Sequence, residues 1–276
     1  MSAVRLNIEA AVLRSLANLL EEQNIASEAE PETPRVHIAA TPHDLVQAAE
    51  VMAQAFVRNR DKAWIAWLRP ADVKRVGSGD YADAERKIAR VIHYLLQAAL
   101  RVGGVVVLET ACDERQGGRT VRGAALRTVP SAASAGSGLF HDLTVGAPAA
   151  LRAYGLRRTL AAQSASAALQ RATHAMRVRE GIPVRCVYGG MVCVRPDHEQ
   201  KRVASRMSRP FQRLADIHGL FYLLQSSNPG SQRRPCFQGL WLQAHGRISV
   251  WCLQAQQCRS LHGQADGQES GTCVDR

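Results

Sequence analysis

Between residues 184 and 227 the chain reads as strand, turn, helix and strand, and this order constrains the fold more than any other stretch. Val184, Cys186, Val187, Met191, Val192, Cys193 and Val194 form a β-favouring run interrupted by Gly189-Gly190. Glycines inside a strand mark a bulge or a close backbone approach, and Pro196 ends the strand. His198-Glu199-Gln200-Lys201-Arg202 leads into a helix whose Val203, Met207, Phe211, Leu214 and His218 recur at three- and four-residue spacing, with Gly219 placed to cap it. Phe221-Tyr222-Leu223-Leu224 starts the next strand. Such a unit aims the free N–H groups of its helix start at whatever lies in the turn, and Lys201 and Arg202 add positive charge there. An ordinary βαβ unit with a basic, solvated helix face gives the same spacing.

The remaining segments supply the other layers. Val4, Ile8, Val12, Leu16 and Leu19-Leu20 share one helical face, and acidic, proline-bearing residues follow, so residues 1–34 read as an appended helix and linker. Val36-His37-Ile38-Ala39 is a short strand. Thr41-Pro42-His43-Asp44 then offers an N-cap, a proline at the first helical position and an acid reaching back. The helix it opens has Leu45, Ala49, Met52 and Phe56 on its face, and Trp64, Ile65, Trp67 and Leu68 make an aromatic-rich core segment. A second helix spans about Tyr81 to Leu100, stopped by Gly103-Gly104. Val105 to Glu109 and Val121 to Val129 read as a hairpin through a turn containing Gly117-Gly118. Small residues 131–138 form a loop, and Ala147 to Arg179, rich in alanine and arginine, forms one or two helices. The order β, α, α, β, β, α, β, α, β predicts an α/β fold: a mixed sheet with helices on both faces.

No run approaches the roughly eighteen apolar residues of a membrane span, and the N-terminus lacks a basic region followed by an apolar core. The expected setting is cytoplasmic, without a membrane partner. Seven cysteines, at 112, 186, 193, 236, 252, 258 and 273, show no CxxC pair or metal-ligand spacing, and their odd number argues against a disulfide framework. The formal charge of +11 suits a polyanion, either a nucleic acid or a cofactor with several phosphates. No helix-turn-helix, finger or RNP-like pattern supports the nucleic acid.

Val192-Cys193-Val194-Arg195-Pro196-Asp197-His198-Glu199-Gln200-Lys201-Arg202-Val203-Ala204-Ser205 resembles the acetyl-CoA-binding motif of the GNAT superfamily of N-acetyltransferases, roughly V-x-P-x-H-Q-G-K-G-I-A-S. Ala215-Asp216-Ile217-His218-Gly219 is similar to the family's helix ending "AD-x-x-G", Leu223-Leu224-Gln225-Ser226-Ser227 to its strand "LETS", and Gly123-Ala124-Ala125-Leu126 to its strand "GvAlW". The branch it looks closest to contains puromycin-type and fungal small-molecule acetyltransferases, and the likeness extends back to about Val36. It implies a GNAT-like acyl-CoA N-acyltransferase fold over residues 35–239 and direct transfer of an acetyl group from acetyl-CoA to a small-molecule primary amine. In this resemblance the backbone of Val192 and Val194 would bind the pantetheine arm, while Glu199, Gln200, Lys201, Arg202, Val203 and Ala204 would hold the pyrophosphate. Gln200 and Arg202 stand where the family has glycines, and a side chain held at positive φ costs about 1–2 kcal/mol.

The family reaction needs a base or water chain for the amine and an acid for the departing thiolate. Phe237 stands at the family's tyrosine and Gln225 where it often has glutamate, which leaves Tyr188 and His141 as candidate catalytic groups. A packed tyrosine and a surface histidine are the plain alternatives for those two. The competing expectation for the whole chain is a catalytically impaired GNAT-like protein, or a damaged gene product, without effective acyl-CoA turnover.

Residues 240–276 lose all periodicity and read as an irregular tail. Tryptophan has a single codon, TGG, so advancing the frame by one base places glycine at Trp241 and Trp251. Leu240-Trp241-Leu242 can then read Phe-Gly-Phe, placing the family's "GF" four residues after Phe237. On that ground the segment is expected to be out of frame, a reading the genomic and transcript sequences decide.

Overall fold

The computed structural model describes residues 8–25, 33–65, 68–101, 103–113, 118–130, 147–179, 181, 183, 185–226 and 248–252. The strands are β1 (Arg35–Ile38), β2 (Gly104–Asp113), β3 (Gly118–Thr128), β4 (Cys186–Val194), β5 (Phe221–Ser226) and β6 (Ile248–Cys252). They form one mixed sheet in that spatial order. Neighbours from β1 to β4 run antiparallel, and the β4–β5 and β5–β6 pairs are parallel.

Alternation along the strands sorts two cores, as period-2 side-chain geometry requires. Val106 and Leu108 of β2 face one layer, with Ala124 and Leu126 of β3 and Cys193 of β4. That layer is α2 (Pro42–Arg58), α4 (Pro70–Gly77), α5 (Ala82–Leu100) and α6 (Ala147–Tyr154), with the short α3 (Lys62–Ile65) beside them. Val105 and Val107 face the opposite layer, made by α1 (Ala10–Ile25) and α8 (Val203–Ile217). A 24-residue α7 (Leu156–Arg179) leads towards β4. Thr41 and Asp44 form the expected reciprocal capping box at the start of α2. Trp64 stacks on Phe56 at 4.8 Å, while Trp67 lies outside the described residues.

Two expectations change. The helix read as an appendage begins at Ala10 and is built into the core: its Val12, Leu16, Leu19 and Leu20 are buried with Met207, Phe211 and Leu214 of α8. Each such burial is worth about 1.5–3 kcal/mol, which an appended helix would forgo. Polar contacts fix its position. Pro210, inside α8, has no N–H to give the Arg206 carbonyl, and Gln23 Nε2 of α1 donates to that carbonyl at 3.2 Å. Asn24 brackets Val36 of β1 through both its amide N–H and its carbonyl oxygen. The segment read as irregular from residue 240 contains β6, whose Ile248, Val250 and Trp251 suit a strand and pair along the edge that β5 would otherwise leave open. Phe237 and Leu240–Leu242 lie outside the described residues.

Candidate acyl-CoA site

The local structure of β4 follows from its glycines. β3 and β4 pair Leu126 with Met191 and Arg127 with Gly189, so Gly190 is the extra residue of a bulge, as the sequence led us to expect. β5 pairs with β4 from Cys186 opposite Phe221 to Gly189 opposite Leu224. Past the bulge β4 continues to Val194 without a β5 residue in register, so the two parallel strands part there. Val192 and Val194 lie on this parted half, half-buried, opposite Ala125 and Gly123 of β3.

The chain leaves β4 through Arg195 and a single helical turn, Pro196–His198, before reaching the turn ahead of α8. Gln200 has φ 66° and Arg202 φ 59°, both left-handed, with the exposed Lys201 between them. No side chain caps α8. The N–H groups of its first turn, at Val203, Ala204 and Ser205, therefore face out of the helix beside Lys201 and Arg202, which is the arrangement that attracts an anion. Val203 is buried against Gly123, whose missing side chain lets α8 lie on β3. Glu199 is fixed by Asn59 at the end of α2, which donates to its carboxylate at 3.1 Å.

Charges converge on this turn. Burial pushes the His198 imidazole below its ordinary range; Asp197 opposes this, while Lys201, Arg122 and Arg195 add to it. Burial is the larger cause of that shift, and Lys201, Arg122 and Arg195 mark the surroundings of the turn as basic. Tyr188 lies on β4 just before the bulge, opposite Thr128 and Leu223. Burial raises its phenol well above the usual range, Cys186 adds to this, and Arg177 opposes it. Tyr188 thus stays protonated at neutral pH, and its buried phenol is a weaker acid than that of an exposed tyrosine. His141 lies outside the described residues. Among the described residues no group of three or more His, Cys, Asp or Glu is placed to hold a metal, and no helix is long and apolar enough to cross a membrane.

Sequence reasoning missed two buried charged groups at this site. Glu109 of β2 is fully buried and accepts both N–H bonds of the Arg206 fork, at 2.8 and 2.6 Å, which ties the first turn of α8 to the sheet. Arg127 of β3 is also fully buried, beneath the point where β4 and β5 part. The available signal was a charged residue at an inward-facing position of each apolar strand.

Because Gln200 is exposed, its left-handed backbone is a cost with no contact to offset it. Q200G should raise the thermal midpoint. Relief of about 1–2 kcal/mol, less about 0.5–1 kcal/mol for added chain entropy, leaves about 0–1.5 kcal/mol and predicts a gain of up to about 5 °C by calorimetry. A lowered midpoint would show that this turn conformation is not the native one.

No family model and no curated protein matches the chain. Three chains of solved structures match. One, described as histone acetyltransferase HPA2 and related acetyltransferase from Corynebacterium glutamicum, is 13% identical, with a TM-score of 0.38, over 87% of this chain and 91% of that one.

Proposed function

We propose that this chain is a GNAT-type N-acetyltransferase that binds acetyl-CoA and passes its acetyl group to a small primary amine. One observation carries the reading. At the two turn positions where the resembling motif has glycines, Gln200 and Arg202 take left-handed backbone angles, at an uncapped helix start beyond a parting of parallel strands. Two side-chain-bearing residues held at left-handed angles within one turn support a turn shaped for a ligand.

In this reading the pyrophosphate lies on the N–H groups of Val203 and Ala204, and the pantetheine arm runs along the Val192 and Val194 backbone. The amine nitrogen attacks the thioester carbonyl carbon, forming the C–N bond. The C–S bond breaks with its electron pair on sulfur. Water or a base takes the amine proton, and a proton returns to the sulfur, with Tyr188, on β4 just before the bulge, as the candidate donor.

A second reading, an impaired relative without effective turnover, is favoured by the Glu199 carboxylate in the anion turn. Titration calorimetry with acetyl-CoA separates the two. We expect saturable binding that K201A weakens about two- to fivefold, since an exposed helix-end charge contributes about 0.3–1 kcal/mol. The difference should shrink as salt is raised. Absence of saturable binding by the full chain would leave the impaired reading standing.

A further inference from the structure

Arg127 is the largest fully buried side chain in the described structure, and no carboxylate pairs with it among the described residues. Its Nη1 donates to the carbonyls of Leu126 and Met191 at 3.3 and 3.2 Å, and its Nη2 to Ser208 Oγ of α8 at 2.9 Å. The guanidinium carbon stands 5.9 Å from the centre of the Phe211 ring, and Nε has no partner. Burying a cation with only neutral acceptors is costly, and an aliphatic side chain would fill the same volume without that cost. All of its contacts converge on one place. Met191 is the first residue past the Gly190 bulge, on the half of β4 that has left β5, and Ser208 and Phe211 lie on the helix behind it.

We infer that Arg127 is a positioning residue for the acyl-CoA cleft: it grips the kinked half of β4 through Met191 and clamps it to α8, holding β4 and β5 apart past Gly189. The inference rests on the proposed function only for what enters the gap. Its mechanical part stands on the contacts themselves. The guanidinium meets these acceptors from two separate nitrogens of one rigid plane, whereas the three donors of lysine share a single nitrogen.

The test compares R127K and S208A with the unsubstituted chain by hydrogen exchange and acetyl-CoA titration. S208A removes one anchor, leaves the guanidinium in place, and carries the test if R127K does not fold. In R127K the amides of residues 189–192 should exchange about tenfold faster while those of α5 stay unchanged, and acetyl-CoA should bind about tenfold more weakly. S208A should show the same local pattern at about threefold. A general packing role would instead speed exchange uniformly across both layers, and that outcome, or unchanged exchange at residues 189–192, would overturn the inference. If the unsubstituted chain binds no acetyl-CoA, the proposed function fails while the exchange result still decides the role of Arg127. Binding by the unsubstituted chain with no local change in either variant would retain the function and reject the clamp.

Discussion

Replacing Arg206 by methionine should cost about 3 kcal/mol of folding stability, among the largest effects expected of one substitution on α8. The loss arises at Glu109, not at the helix surface. The Glu109 side chain is 0% exposed and that of Arg206 29%, so removing the guanidinium strands a carboxylate in the core with no cation. Breaking a buried pair from one side costs about 3–5 kcal/mol, and the lower end applies because the space vacated by Arg206 opens towards solvent. The double variant E109L/R206M removes both charges and should recover most of the loss. Urea unfolding of the three chains measures this through the transition midpoint. A cost below about 1 kcal/mol for R206M would place the pair with ordinary surface ion pairs and remove its role in tying α8 to β2.

G123A should destabilise by about 1–3 kcal/mol and, on the proposed function, weaken acetyl-CoA binding with it. A methyl group at this position would lie 2.5 Å from Val203 Cγ1, 2.8 Å from Met207 Cε and 3.2 Å from the Cys193 carbonyl. Methionine can swing away, but β-branched Val203 has little rotamer freedom in a helix. The strain is therefore expected to lift the first turn of α8 off β3 and carry the uncapped N–H groups with it. G123A/V203A should regain part of both stability and affinity, as read by thermal unfolding and calorimetry. Full stability in G123A alone would mean that α8 does not press on β3 at this point.

What the sequence foretold is what short-range rules govern. Thr41 and Asp44 form a cap because the box closes within four residues. Gly190 makes a bulge because a glycine pair in a β-run allows little else. The α8 face of Val203, Met207, Phe211 and Leu214 follows from the helical period, and the left-handed turn from where the resembling motif has glycines. Lys201 and Arg202 were legible as a basic helix start for the same local reason.

The remainder depends on which distant segments meet. α1 carries an apolar stripe that any neighbour could bury; only the folded chain sets it on α8, with Gln23 supplying the hydrogen bond that Pro210 withholds across 183 residues of sequence. Glu109 and Arg206 are 97 residues apart, and Arg127 and Ser208 are 81 apart. Neither pairing is encoded by periodicity. Arg127 stands in step with the apolar Ala125 and Val129, and it becomes a buried clamp only once α8 closes over β3. The sequence by itself determined the strand-turn-helix-strand unit and its positive turn, because each element is set by neighbours a few residues away. The tertiary structure alone decided which buried charges hold that unit to the sheet, because burial and pairing depend on contacts that exist only after the layers pack.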